Sequence, residues 1–152
     1  MVTVSDRCAA GLAQDESGVV IAQRLEQLPA SVVVRRVVPD EPDGIRDAFR
    51  AATAAADIAV FTGGTGLAQR DVTPQTLLPL LDYEVPGMAE AMRAAGLRQT
   101  ALALLSRQIA GVAGRCLVLA LPGSVRAVSE SLDAVWPALP HALSLLRGDA
   151  HH

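Results

Sequence analysis

The sequence predicts an α/β domain built on a largely parallel sheet, and three observations predict it. Short β-branched and apolar runs alternate with segments whose apolar residues recur at helical spacing along almost the whole chain. Of the 152 residues 51% are apolar and 19% charged, enough apolar surface for a well-buried core and too little charge for a disordered chain. The length is that of one ordinary domain and short of two. Residues 1–148 are therefore expected to form a single domain and 149–152 a disordered tail, with His151 and His152 a terminal remnant.

The elements follow in order. Residues 1–4 read as a short strand and 5–17 as a polar loop. From Gly18 the positions Ile21, Leu25 and Leu28 share one helical face, and Pro29 closes that helix. Residues 32–38 form a β-branched run broken only by Arg35 and Arg36, a buried strand or one near an edge, which Pro39-Asp40-Glu41-Pro42 ends. Ile45, Phe49 and Ala52 mark a helix, and 58–61 a buried strand running straight into a glycine-rich segment. Thr73 with Pro74 gives a capping hydroxyl and a proline for the next helix, whose buried stripe is Leu77, Leu78 and Leu81. Pro86-Gly87 precedes an amphipathic segment with Met88, Met92 and Leu97 inward. Residues 102–105 and 116–121 read as two further strands. Val125, Val128, Leu132, Val135, Leu139 and Leu146 keep helical spacing to the end, broken or kinked by Pro137 and Pro140.

Composition excludes several chemistries. The chain has no lysine, so Schiff-base catalysis, pyridoxal anchoring and the P-loop lysine are ruled out, and any phosphate clamp must use arginine and backbone N–H groups. The net charge of -3 gives no electrostatic reason to expect nucleic acid. Cys8 and Cys116 belong to no CxxC or CxxH pattern and read as two reduced thiols of a cytoplasmic protein. No leader pattern opens the chain and no apolar run reaches the ~18 residues that span a bilayer, so no membrane partner is expected.

In open α/β sheets ligands bind beyond the carboxyl ends of the strands, which singles out Ser5-Asp6-Arg7, Asp40-Glu41, residues 62–73 and Pro122-Gly123-Ser124. The strongest is TGGTGLAQRDVTP at 62–74. Gly63, Gly64 and Gly66 let the backbone present N–H groups to an anion, and Thr65 adds a hydroxyl. A plain glycine turn joining strand to helix explains the glycines as well. Arg70-Asp71 tips the balance, since an arginine pairs with phosphate and a carboxylate beside it holds Mg2+. Asp40 is either a second carboxylate of the same cleft or an ordinary turn residue. Ser106-Arg107 alone reads as an exposed cap, and Ser124 as a helix N-cap that also suits an anion. His141 sits on an apolar helical stretch and carries no chemistry in this reading.

Taken together, SDR at 5–7, DESG at 15–18, PDE at 39–41, TGGTG with RDVTP at 62–74, VPGMAEAMR at 85–93, LSR at 105–107 and LPGS at 121–124 resemble the MogA/MoaB family of molybdenum-cofactor biosynthesis, related to the gephyrin N-terminal domain. The resemblance implies a three-layer α/β/α domain that assembles as a trimer or hexamer. It implies binding of molybdopterin and its adenylylation by Mg-ATP with release of pyrophosphate, followed by a molybdate-insertion partner. It places the essential aspartates on Asp40 and Asp71, with Mg2+ on Asp71. The ligand-facing set it implies comprises the glycine loop, Ser5, Asp6, Arg70, Thr73, Pro86, Gly87, Glu90, Ser106, Arg107 and the Pro122-Gly123-Ser124 turn. Ala120 stands where the family commonly has asparagine, which implies a missing polar contact in the cleft. Gln69 stands near where a proline or second arginine is common, and Val125-Arg126 follows Ser124 in place of a proline step. A non-catalytic molybdopterin-binding paralogue and an oligomeric scaffold are the alternatives.

Overall fold

The alternation of one strand builds both cores of the molecule. In the computed structural model, which describes residues 1–149, Cys116–Leu121 (β6) is buried along its whole length. Leu117, Leu119 and Leu121 join one apolar cluster, while Cys116, Val118 and Ala120 join another, because successive side chains of a strand point to opposite faces. Each fully buried leucine contributes roughly 1.5–3 kcal/mol relative to an exposed one.

The other elements are β1 (Val2–Val4), α1 (Asp6–Ala9), α2 (Glu16–Leu25), β2 (Arg36–Val38), α3 (Pro42–Ala55), β3 (Ile58–Thr62), α4 (Thr73–Leu77), β4 (Tyr83–Glu84), α5 (Pro86–Leu97), β5 (Ile109–Ala113), α6 (Val125–Val135) and α7 (Leu139–Arg147). The sheet runs β2-β1-β3-β6-β5-β4. Its first four strands are parallel, and β5 and β4 run antiparallel to their neighbours. Apolar residues of α2, α5, α6 and α7 cover one face and those of α3 and α4 the other, which makes the three layers the resemblance implies. Pro137 and Pro140 do break the last helical stretch, and a short 3-10 turn, Trp136–Ala138, separates α6 from α7. No helix of the described residues is long and apolar enough to cross a membrane.

Several expectations need correction. Of the run 32–38 only Arg36–Val38 is a strand, because its one neighbour, β1, offers just Val2–Val4 to pair with. It is the exposed edge, which explains the paired arginines inside a β-branched run. Residues 102–105 belong to a 3-10 turn, Ala101–Leu105, opened by Thr100, whose Oγ1 accepts from the Leu102 N–H. Leu102, Leu104 and Leu105 are exposed, and the strand belongs to Ile109–Ala113, whose alanines and glycine gave a weak signal. The loop 5–17 holds the short α1, and α2 begins at Glu16, where Asp15 Oδ1 caps the Gly18 N–H at 2.9 Å. Leu78 and Leu97 are exposed rather than inward. Both cysteines are free, and burial pushes the Cys116 thiol up to about 11. Asp149 donates its N–H to Ser144 O in the turn that closes α7. The rest of the expected tail, 150–152 with His151 and His152, lies outside the described residues.

Candidate functional site

The order β2-β1-β3 reverses the direction of chain winding between β1 and β3, and at that switch point the loops after β1, β2, β3 and β6 meet. Gly63 and Gly64 have φ of +96° and +62°, which favour glycine. At both positions there is also no room for a side chain: a Cβ on Gly63 would collide with Val4 O, and one on Gly64 with Thr73 Oγ1. The loop is tied to its surroundings. Gly63 N–H donates to Leu121 O at 3.1 Å, Thr73 Oγ1 to Gly63 O at 2.9 Å, and Thr62 Oγ1 to Pro122 O at 2.6 Å. Thr73 is therefore not the cap expected of it but the first helical residue, its hydroxyl fastening the loop. The N–H groups of Gly64, Thr65 and Gly66 donate to no described residue, which leaves three donors for an anion.

The two aspartates singled out from the sequence converge on this loop. Asp40 Oδ1 lies 3.0 Å from where a Cβ on Gly64 would stand, and Asp71 Oδ2 lies 2.8 Å from the same point on Gly66. Both line a cleft of about 500 Å3 that Ser5, Thr62, Gly123 and Ser124 also line. A second compartment of about 410 Å3 shares Gly63, Gly64, Asp71, Gly123 and Ser124 with it and extends to Thr65, Gly66, Ser106 and Pro122. Asp71 Oδ2 accepts the Ala68 N–H at 2.8 Å, and its Oδ1 accepts from no described residue. Burial, followed by the nearby charges of Asp6 and Asp71, holds the Asp40 carboxyl above its ordinary range, against the opposing hydrogen bond from the Asp6 N–H.

Asp6 stands in a different environment. Its Oδ2 and Oδ1 accept from Arg70 Nε and Nη2 at 2.9 and 2.7 Å, a bidentate pair that holds its carboxyl below the ordinary range and raises Arg70 further. Arg107, expected as an exposed cap or a ligand contact, braces the loop. Its Nε donates to Gly66 O at 2.8 Å, Nη2 to Asp71 O at 2.5 Å and Nη1 to Gln75 Oε1 at 2.6 Å, while its own N–H reaches Thr65 O.

Pro86, Gly87 and Glu90 line neither compartment; they sit at the start of α5, where Gly87 and Glu90 are exposed and Pro86 edges a separate groove with Arg93. Ala120 is fully buried in the α3-side core and lines neither compartment, so the expected loss of a polar group from the cleft does not arise there. Asp15 and Ser17, not singled out as site residues, line the first compartment. The capping signal of Asp15 before the apolar face of α2 could have found them. Leu102 and Leu105 line the second compartment and were hidden by their reading as a strand.

No group of three metal-ligating side chains occurs among the described residues. Mg2+ is ordinarily held by one or two carboxylates with substrate phosphates and water, and Asp40 with the open Oδ1 of Asp71, beside unpaired N–H groups, fits that mode.

A domain-family model whose description reads "Probable molybdopterin binding domain" matches residues 1–141. The chain belongs to this family. A molybdenum cofactor biosynthesis bifunctional protein of Synechococcus elongatus is 43% identical over 152 residues, 99% of this chain and 48% of that protein. The chain thus spans about half the length of that relative. A molybdopterin adenylyltransferase of Helicobacter pylori is 35% identical, over 98% of this chain and 87% of that one. Among solved structures, the molybdopterin biosynthesis enzyme MoaB of Thermus thermophilus superposes with a TM-score of 0.90 at 49% identity, covering 97% of this chain and 94% of that chain. A structure of MogA gives a TM-score of 0.90 at 40% identity. Membership of the MogA/MoaB family accounts for the shared α/β fold.

Proposed function

We propose that this chain is a molybdopterin adenylyltransferase. The terminal phosphate of molybdopterin attacks the α-phosphorus of Mg-ATP, a new P–O bond forms, the bond to the β-phosphate oxygen breaks, and pyrophosphate leaves. The observation that carries this reading is the convergence of Asp40 and Asp71 on the Gly63-Gly64 loop at the carboxyl edge of the sheet.

Such transfers need little covalent help and much positioning and charge neutralisation. The N–H groups of Gly64, Thr65 and Gly66 hold a phosphate. Asp40 and Asp71 would hold Mg2+, which would supply charge neutralisation to the transferred phosphate. Arg70 exchanges its bidentate partner, Asp6, for phosphate oxygens, which suit the same fork. Arg107 keeps the loop in place and does not touch substrate. A homo-oligomer, trimer or hexamer, a cytoplasmic setting and a molybdate-inserting partner belong to the same reading. A non-catalytic carrier would be favoured if Ala120 left the cleft short of a polar group, but that side chain is buried in the core.

Pyrophosphate release from Mg-ATP tests the proposal. Release that requires molybdopterin is the expected result; molybdopterin bound with no pyrophosphate formed overturns it.

A further inference from the structure

Helix α4 begins without a side-chain cap: Val72 stands at its N-cap, and the hydroxyl of Thr73 is spent on Gly63 O. Gln75, at the third helical position, turns its side chain back past the cap, as the third residue of a capping box does, but toward a carbonyl. Its Nε2 donates to Asp71 O at 3.2 Å and its Oε1 accepts from Arg107 Nη1 at 2.6 Å, while Arg107 Nη2 donates to the same Asp71 O at 2.5 Å. Carboxamide and guanidinium close a ring on one carbonyl, whose two lone pairs take both donors. The residue that owns this carbonyl also carries the carboxylate that faces the cleft. Its other contacts are local: the Asp71 N–H donates to Ala68 O at 2.9 Å, and Asp71 Oδ2 accepts the Ala68 N–H at 2.8 Å. Those two bonds shape the turn without tying it to the rest of the molecule. The ring ties it to α4 and, through Arg107, to the segment that leads into β5.

We infer that Gln75 is a positioning residue for the metal-holding carboxylate: it fixes the backbone of Asp71, directly and through Arg107, in the place from which the open Oδ1 reaches a cation. Gln75 is exposed and lines neither compartment of the cleft, so it acts on the site only through Asp71 and Arg107. The inference rests on the reading of Asp71 as a holder of Mg2+ and names what keeps that carboxylate in place. Of the two bonds Gln75 makes, the one from the Arg107 guanidinium is charge-assisted and short, whereas the one to Asp71 O is neutral and long. Glutamate at position 75 retains an acceptor for Arg107 and gives up only the weaker bond. Leucine gives up both, and the guanidinium is then held at Asp71 O with no partner beside it.

The test is Mn2+ binding to the chain saturated with a non-hydrolysable ATP analogue, followed by electron paramagnetic resonance. Gln75→Leu should weaken Mn2+ binding by about tenfold, as loss of an outer partner of a metal-holding carboxylate does. Gln75→Glu should stay within about threefold of the natural chain, because the charged bond to Arg107 survives. Affinity for the analogue in the absence of metal should change by less than about twofold in both variants, since Gly66 O keeps its bond from Arg107 Nε. The exposed position leaves the core untouched, which an unchanged melting temperature verifies. Unchanged Mn2+ affinity in Gln75→Leu overturns the inference. So does an equal loss in Gln75→Glu, or a parallel loss of metal-free affinity for the analogue, which would mark a general collapse of the loop. A natural chain that binds the analogue but no Mn2+ overturns the metal role of Asp71 and the inference with it. Because turnover is not measured, absence of adenylyl transfer would leave a positive result standing, and a Gln75→Leu variant that binds Mn2+ normally would leave adenylyl transfer standing.

Discussion

Asp6 and Asp40 cap one another across the sheet edge: the Asp6 N–H donates to Asp40 Oδ2 at 2.8 Å, and the Asp40 N–H donates to Asp6 Oδ1 at 3.0 Å. The pair locks the loop after β1 to the loop after β2 and aims the remaining oxygen of Asp40 at Gly64. Asp6 also engages Arg70, so one carboxylate sets the place of a second carboxylate and the resting state of a cation.

Asp6→Ala removes one half of this lock and should lower kcat by about tenfold or more, since the Asp40 N–H loses its acceptor and the backbone that carries the Asp40 carboxylate is held less firmly. Asp6→Asn retains an acceptor for the Asp40 N–H and should be milder. Steady-state kinetics on the two variants check the order; equal kcat in both and in the natural chain would remove Asp6 from the positioning of Asp40.

The raised Asp40 carboxyl has a consequence for stability. A carboxyl whose folded pKa lies above its unfolded value favours the fold while protonated, and that contribution is lost as pH rises through the folded pKa. Asp40→Asn should therefore melt higher than the natural chain at neutral pH, with the gain vanishing below the ordinary carboxylate range, while turnover falls sharply. Asp6 has the opposite sign: its depressed carboxyl stabilises above the ordinary range and loses that contribution on acidification. Thermal melts across pH check both, and a neutral-pH destabilisation of Asp40→Asn would contradict the assignment.

Arg107 spans three acceptors, Gly66 O, Asp71 O and Gln75 Oε1, which a lysine ammonium on a flexible stem does not match. Arg107→Lys should cost about tenfold or more in kcat/KM and lower the melting temperature by a few degrees, because the loop loses its brace while the core stays intact. Unchanged kcat/KM would show that the loop holds its shape without it.

Gly64→Ala forces a side chain onto a left-handed backbone and into Thr73 Oγ1 and Asp40. Nucleotide affinity should fall by more than about tenfold, measured by titration with a non-hydrolysable ATP analogue; retained affinity would contradict the role of the cradle.

Much of this was readable from residues alone. The alternation of apolar runs with helical periodicity marked the parallel half of the sheet, and three glycines followed by Arg70-Asp71 marked the loop at its switch point. The antiparallel half was not readable, because β5 is Ile-Ala-Gly-Val-Ala, weak in strand-forming residues, while the exposed leucines at 102, 104 and 105 imitated a strand without a polar face. Motif membership placed Arg107 near substrate, and only three-dimensional contacts reveal that its guanidinium also braces the loop through two backbone carbonyls and the Gln75 amide. The same holds for Ala120, whose position beside the Leu-Pro-Gly turn suggested the cleft although strand alternation turns its side chain to the core.

The most direct measurement is transfer of label from ATP carrying labelled α-phosphorus to molybdopterin, run with the natural chain and with Asp71→Asn. The substituted carboxamide can still accept the Ala68 N–H, so the variant should fold with an unchanged melting temperature. Label on molybdopterin with the natural chain, reduced by roughly a hundredfold in the variant, is the expected result. Label transfer that is equal in both, or absent in a natural chain that binds both substrates, would contradict adenylyl transfer at the Asp40–Asp71 cleft.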